Sequence, residues 1–469
     1  MKRILIRSGK SPFRVASREE FLHQDLIGTN SGNLLFSDAT HKILLTEHTE
    51  ITSNGLPTDT SAARAKEINE RYDVFVVPLA NAFRPSFKTS LDRLSTLIEQ
   101  LTIPVVVLGV GAQANEKFDV KRLGPIEASV RRFCRAVLER SASIGVRGEL
   151  TASYLHNLGF SEDEVDIIGC PSMFLHGETF PALSRPGTID AASRIAINLS
   201  PGAVTVGDVA GLADHAYRRF PHLTYFAQNM SDAQLLFWGD TSEASGNDEA
   251  LPRRLSHPLF QENKVRVPLD PRTWLEELST FDFAYGTRIH GNIAALLSGT
   301  PAVVLVHDSR TLELCRYFDI PHRMLRGLPG DIHPADLYEQ ADYRPLVDGH
   351  PERFRRFREF LDRNNLQNTF THGDGGAAYE TRLAALKLPS PIGVWDGSDD
   401  GAFQYRISRL HERAERSERA VTSLTKQNKE LQKLVADLEK RLSGVERRAA
   451  VRIGPAIRRR VRRAKTDNA

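Results

Sequence analysis

The sequence predicts two doubly wound α/β domains with a cleft between them, followed by a C-terminal coiled-coil helix. Three observations carry that expectation. Short, β-rich apolar runs alternate with amphipathic stretches; a turn-rich break at 176–193 precedes a second such alternation; and a heptad array begins after residue 403.

In the first half, DVFVVPLA (73–80), IPVVVLGVGAQ (103–113) and SASIGVRG (141–148) are runs suited to strands buried on both faces of a parallel sheet. HKILL (41–45) and VDII (165–168) are expected to extend that sheet, with helices near 91–101, 126–140 and 149–158. The stretch HGETFPALSRPGTIDAAS (176–193) has turn residues and no sustained period, as at a domain junction. Beyond it RIAINLS (194–200), HLTYFAQN (222–229), KVRVPL (264–269), FDFAYG (281–286) and PAVVLVH (301–307) read as strands. The Ser- and acid-rich insertion GDTSEASGNDEA (239–250) is expected to be a mobile surface loop. The expected organisation is a first Rossmann-like domain over 1–180, a second over 190–345, and helices at 346–388 packing back on the body. A linker at 389–403, a coiled coil at 404–446 and a basic tail at 447–469 complete it.

The heptads place Ile407, Ala414, Val421, Asn428, Val435 and Leu442 at one seam position and Leu410, Ser417, Leu424, Leu431, Leu438 and Val445 at the other. A single Asn at the first position fixes register in parallel two-stranded coils, so a parallel homodimer is expected; the alternative is a lone solvated helix.

The 469 residues exceed a single small module, and 41% hydrophobic with 26% charged residues describes a globular chain. The formal charge of +3 is uneven: the tail 447–469 carries nine Lys/Arg against one Asp, which leaves the rest of the chain acidic. Cys134, Cys170 and Cys315 lie far apart without ligand spacing, which fits a reducing compartment and neither a zinc site nor a disulfide framework. The start MKRILIRSGK has too short an apolar stretch for a signal peptide, and no segment has the roughly 20 apolar residues of a membrane span. A cytoplasmic protein is expected.

The chemistry concentrates in FDFAYGTRIHGNIAALLSGTPAVVLVHDSRTLELCRYFDIPH (281–322), which reads as strand, turn, helix, strand, turn, helix. Gly286 and Gly291 bracket Thr287, Arg288, Ile289 and His290 where a strand hands over to a helix, the end of an open sheet at which ligands bind. An Arg and a His beside a helix N-terminus suit an anion. The second strand ends in His307, Asp308, Ser309 and Arg310, so two neighbouring strand ends point to one polyanion pocket. The bland alternative is that Arg288 pairs with a structural carboxylate and His290 caps the helix.

The string GTRIHGNIAALLSGTPAVVL, with VHDSR and FDIPH after it, resembles the C-terminal signature of the polysaccharide pyruvyl transferase family. TNSGNLLF (29–36), GVGAQ (109–113) and SIGVRGELTASYLHNLG (143–159) are similar to earlier pieces of the family, and the resemblance covers roughly residues 25–325. It implies two Rossmann-like domains of the GT-B-like kind and a phosphoenolpyruvate-dependent enzyme of exopolysaccharide or cell-envelope synthesis. The implied reaction forms a cyclic pyruvate ketal on two hydroxyls of one sugar in a polysaccharide or lipid-linked glycan and releases phosphate. His290 is then the candidate general acid, with Arg288, Ile289, Arg147, Arg310 and Asp308 for the donor. Asn30, Asn33, Asn81 and Arg84 are the candidates for the acceptor. Arg147 stands in the family's VRD-like turn, although Gly148 replaces the acid; Arg310 stands where many members carry Lys. No metal and no cofactor are expected beyond phosphoenolpyruvate as donor substrate; GVGAQ is not a dinucleotide fingerprint, because Asn115 takes its third Gly position.

The tail RRAAVRIGPAIRRRVRRAK (447–465) mixes Arg with apolar residues, so attachment to an anionic membrane surface on the inner face is expected, and no nucleic acid. The rival readings are a nucleotide-sugar glycosyltransferase of GT-B-like fold and a non-catalytic coiled-coil scaffold.

Overall fold

The computed structural model describes residues 1–114, 119–240, 251–398 and 400–466, the side chains of 400–402 and 446–466 excepted. Asn115, the body of the expected mobile insertion and the side chains of the basic tail lie outside the described residues.

Residues Met1–Asp396 form one compact unit. Its first sheet is parallel, with β1 (Lys2–Ile6), β2 (Thr49–Ser53), β3 (Val74–Pro78) and β4 (Val105–Leu108) in the order β2-β1-β3-β4. β5 (Ile144–Val146) and β6 (Val165–Ile167) form a parallel pair beside it. A parallel bridge between Val110 and Val146 joins the pair to the end of β4. The second sheet is also parallel, built from β7 (Ile195–Asn198), β8 (Leu223–Phe226), β9 (Val265–Arg266), β10 (Phe283–Gly286), β11 (Ala302–Val306) and β12 (His322–Met324). Its order is β12-β11-β10-β7-β8-β9. In both sheets the chain reverses its direction of growth once, between β1 and β3 and between β7 and β10; such reversals open a crevice at the carboxyl ends of the strands.

The elements follow from where apolar side chains can be buried. β3, β4 and β11 are buried along their whole length, as continuous VFVVP, VVVL and AVVLV runs require. The helix Lys88–Ile98 buries Leu91, Leu94, Leu97 and Ile98, one face at helical spacing.

HKILL, expected as a strand, forms the end of the helix Gly32–Leu44 instead. Nearly every residue of this helix is buried, so it shows no polar face, and a five-residue apolar run cannot reveal its period. The strand position falls to KRILI at the amino end. The helix His350–Arg363 packs Phe354 and Phe357 onto Phe174, with the Phe174 and Phe357 rings 4.8 Å apart. Within the segment expected as a linker, Ile392 exchanges two backbone hydrogen bonds with Val267.

The second unit, Gly397–Ala469, is built on one continuous helix, Asp400–Thr466. Along it Val421, Leu424, Leu431, Leu438 and Leu442 are 53–63% exposed. No helix among the described residues is long and apolar enough to cross a membrane.

Candidate active site

The carboxyl ends of both sheets face one cleft of about 690 Å³. From the second sheet, β10 ends at Gly286, whose φ of 152° and whose approach to Asn198 exclude a side chain: a Cβ there would lie 1.9 Å from Asn198 O. Asn198 accepts from Thr287 N on its backbone oxygen and from Arg288 N on its side-chain oxygen, at 2.8 and 2.9 Å. The amide of Asn292 donates to Gly286 O and Arg288 O from within the following helix. This clamp fixes Arg288 at the mouth of the helix Ile289–Leu297, which is buried throughout and starts without a side-chain cap. Arg288 Nε donates to Leu199 O, 3.0 Å away.

His290 occupies the first turn of that helix, 9% exposed, with Nε2 3.6 Å from Cys170 Sγ. A Cβ on Gly32 would lie 2.8 Å from its Cβ and 2.9 Å from Nδ1, so Gly32 is what admits the ring. Burial, then the charges of Arg147 and Arg310, hold the His290 pKa down at about 3. The imidazole is therefore neutral near pH 7 in the free chain, and a general acid at this position has to gain its proton first.

From the first sheet, Arg147 follows β5 and is 1% exposed. Its Nε donates to Gly109 O at 3.3 Å, while Nη2 is buried with no partner. Burial lowers its pKa, and Cys170 and Glu313 act in the opposite direction. Gly148, which stands in place of the family's acid, leaves room for a carboxylate from elsewhere: a Cβ there would lie 2.4 Å from Glu313 Cγ. Glu313 accepts from Thr151 N and Oγ1 at 2.7 and 3.0 Å, and burial raises its pKa to about 7.

Arg310 joins the cleft from the end of β11, its Nε 2.6 Å from Asp308 Oδ2. Its charge lowers the pKa values of Arg84, Arg147, Arg288 and His290, each after burial, so these groups converge on it. Asp308, expected to bind the donor, does not line the cleft. Its carboxylate caps the helix Ser309–Phe318 by accepting from Thr311 N and pairs with Arg310, so it holds that cation in place. Ile289 does line the cleft.

Asn30, Asn33, Asn81 and Arg84 all line it as well. Asn33 spends its amide hydrogens on Ile27 O and Gly28 O, and Asn30 accepts from Gly32 N, so both shape the loop before the helix. Asn81 donates to Gln113 Oε1 at 2.7 Å, and Arg84 Nη1 donates to Asn81 O. The sequence reading omits Arg7, Gln113 and Gln228, which also line the cleft. Gln113 is the last residue of the quoted GVGAQ, which is the one signal for it; Gln228 lies just beyond β8 with no motif. Among the described residues no group of three or more His, Cys, Asp or Glu is arranged to hold a metal ion.

No curated protein matches the chain. Among solved structures it is similar to HepE of Anabaena in complex with UDP and glucose, at 12% identity over 82% of this chain and 100% of that one, with a TM-score of 0.39. It is also similar to UDP-GlcNAc 2-epimerase of Neisseria meningitidis bound to UDP-GlcNAc, at 11% identity over 82% and 100%, with a TM-score of 0.37. The family described as Polysaccharide pyruvyl transferase matches residues 30–309, which include Asn30, Arg147, Arg288, His290 and the loops that hold them. With more than half of its length matched, the chain belongs to the polysaccharide pyruvyl transferase family.

Proposed function

We propose that the chain transfers the pyruvate moiety of phosphoenolpyruvate onto two hydroxyls of one sugar in a polysaccharide or lipid-linked glycan, forming a cyclic ketal and releasing phosphate. One cleft that gathers Arg147, Arg288 and Arg310 with a buried His290 carries this reading. The donor's carboxylate and phosphate carry close to three negative charges, which planar guanidinium groups bind in pairs. Burial is the first cause of the low His290 pKa and the two arginines come after it; the donor's charges offset those arginines and pair directly with an imidazolium, so in this reading His290 takes up its proton together with the donor.

His290 then gives that proton to the methylene carbon. The second carbon becomes cation-like and is attacked by one sugar hydroxyl, which loses its own proton. The first hydroxyl's proton returns to the imidazole; the second hydroxyl then bonds to the same carbon as that carbon's bond to the phosphate oxygen breaks, and phosphate leaves with the electron pair and the second hydroxyl's proton. The net change exchanges one carbon–oxygen bond to phosphate and one carbon–carbon π bond for two ketal bonds and a methyl group. Arg288, Ile289, Arg147 and Arg310 hold the donor; Asn30, Asn33, Asn81 and Arg84 face the acceptor.

The GT-B-like description, a parallel coiled-coil homodimer, a cytoplasmic location and attachment of the basic tail to an anionic membrane surface belong to the same proposal. Exposed Val421, Leu424, Leu431 and Leu438 support the dimer, because each heptad leaves its apolar seam for a second copy. Incubation with phosphoenolpyruvate and candidate glycans tests the activity. Phosphate release with formation of a pyruvylated glycan is expected, and His290→Ala should lower turnover by ~10²-fold or more. Consumption of UDP-sugars with no release from phosphoenolpyruvate would replace this reading with glycosyl transfer.

A further inference from the structure

Of the polar groups packed around His290, the thiol of Cys170 has no part in the steps above. Cys170 follows β6 and precedes the short helical turn Pro171–Phe174. It is 1% exposed, and neither it nor Ser172 lines the cleft. Its Sγ lies 3.6 Å from His290 Nε2 and 3.0 Å from Ser172 Oγ, and Ser172 is fully buried. The three side chains form a row that starts at the cleft and runs into the body of the protein.

The two ring nitrogens of His290 therefore face different surroundings. Nε2 is turned to the buried thiol. Nδ1 lies towards Gly32, where a Cβ would come within 2.9 Å of Nδ1 and 3.0 Å of Asn30 Oδ1. Nδ1 thus borders the same small space as Asn30, which lines the cleft. An imidazolium carries an N–H at both nitrogens, and a buried N–H needs an acceptor. For Nε2–H the group in place is Cys170 Sγ, whose lone pair faces the ring when the thiol hydrogen is given to Ser172 Oγ.

We propose that Cys170, itself oriented by Ser172, is a positioning residue for pyruvyl transfer: its sulfur accepts from His290 Nε2–H and leaves Nδ1 as the nitrogen that protonates the donor's methylene carbon. This rests on the pyruvyl-transfer reading and adds the reacting atom to it. The Nδ1–H bond breaks with its electron pair left on nitrogen, and the π pair of phosphoenolpyruvate forms the new carbon–hydrogen bond. The proton of the first sugar hydroxyl later returns to Nδ1. Cys170 keeps its own hydrogen throughout. Because the bond at one ring nitrogen sets the state of the other, the neutral ring is the Nε2–H tautomer.

Nitrogen NMR of the full chain with isotope-labelled histidines reads that tautomer, the His290 signals being those missing from His290→Gln. Near neutral pH and without substrate, a protonated Nε2 and a bare Nδ1 are expected, a measurement on the wild type that needs no variant to fold. Cys170→Ala should mix the two tautomers, lower kcat about tenfold and leave the KM for phosphoenolpyruvate within about threefold, which also reports that the variant is folded. Cys170→Ser should restore most of kcat. Ser172→Ala frees the thiol hydrogen to turn to Nε2, and should move the ring towards the Nδ1–H tautomer with a lower kcat. A bare Nε2 in the wild type would overturn the proposal, as would an unchanged tautomer and kcat in Cys170→Ala. A rise in KM as large as the fall in kcat would assign Cys170 to packing alone and overturn it too. If the wild type releases no phosphate from phosphoenolpyruvate, the pyruvyl-transfer reading falls, whereas an Nε2–H tautomer that is lost in Cys170→Ala still upholds the role of the thiol in setting the ring.

Discussion

His290 is an imidazole packed between Cys170 Sγ, the Phe36 ring at 5.7 Å and the bare backbone of Gly32. Its pKa of about 3 lies below the unfolded value of about 6.5, so between those values the unfolded chain binds more protons. Its contribution to stability is therefore full above pH 6.5 and is lost as the pH falls towards 3. The proposed protonation of His290 on donor binding predicts a net proton uptake when phosphoenolpyruvate binds near pH 7. Titration in buffers of different ionisation heat should show that uptake, and its persistence in His290→Gln would assign the proton to another group. Arg147, Arg288 and His290 are legible in the sequence because glycines bracket the turns that present them. Arg7 is not: in KRILIRSGK it continues a basic and apolar run, and only the strand order shows that it stands at a sheet's reversal point. Asp308 has a second role that its position in the sequence also allows, since a carboxylate at a helix start serves as a cap.

Among the elements, the β10 turn depends on the reciprocal pair of Asn198 and Asn292, each donating its amide to the other's oxygen at 3.2 Å. Asn198→Ala removes the acceptor for Arg288 N and leaves buried polar groups unpaired. It should lower stability by about 1–3 kcal/mol in denaturant unfolding and weaken phosphoenolpyruvate binding as Arg288 loosens. Unchanged stability together with unchanged affinity would show that the turn holds itself. Strands with continuous apolar runs are legible because burial on both faces removes alternation and leaves length as the signal. The helix Gly32–Leu44 is misread for that same reason, and the edge strand β2, TEITS, is too polar and short to announce itself.

Across the whole molecule, the alternation of strands and helices yields two parallel sheets whose carboxyl ends meet at one cleft, and the order of motifs along the chain foretells that meeting. What the sequence withholds is how the body closes, because long-range pairs such as Lys10 with Asp270, at 2.8 Å and almost fully buried, leave no periodic trace. The continuous helix is what the heptads lead one to expect, and the proposal of a coiled coil rests on their period of seven. Replacing Leu424 and Leu431 together by Glu should convert a dimer to a monomer in light scattering. A wild-type chain that is already monomeric would remove the coiled coil from the account.

The loop before the helix Gly32–Leu44 is sewn to the segment after β8, with Ser31 N donating to Gln228 O at 2.9 Å and Met230 N to Thr29 O at 3.0 Å. On the other side Ala114 N donates to Ser309 Oγ at 2.8 Å, and Thr151 is tied to Glu313. Stitches on two flanks deny the two sheets a free hinge. Substrates are then expected to enter a cleft whose walls already stand in place, as in a lock cut before its key.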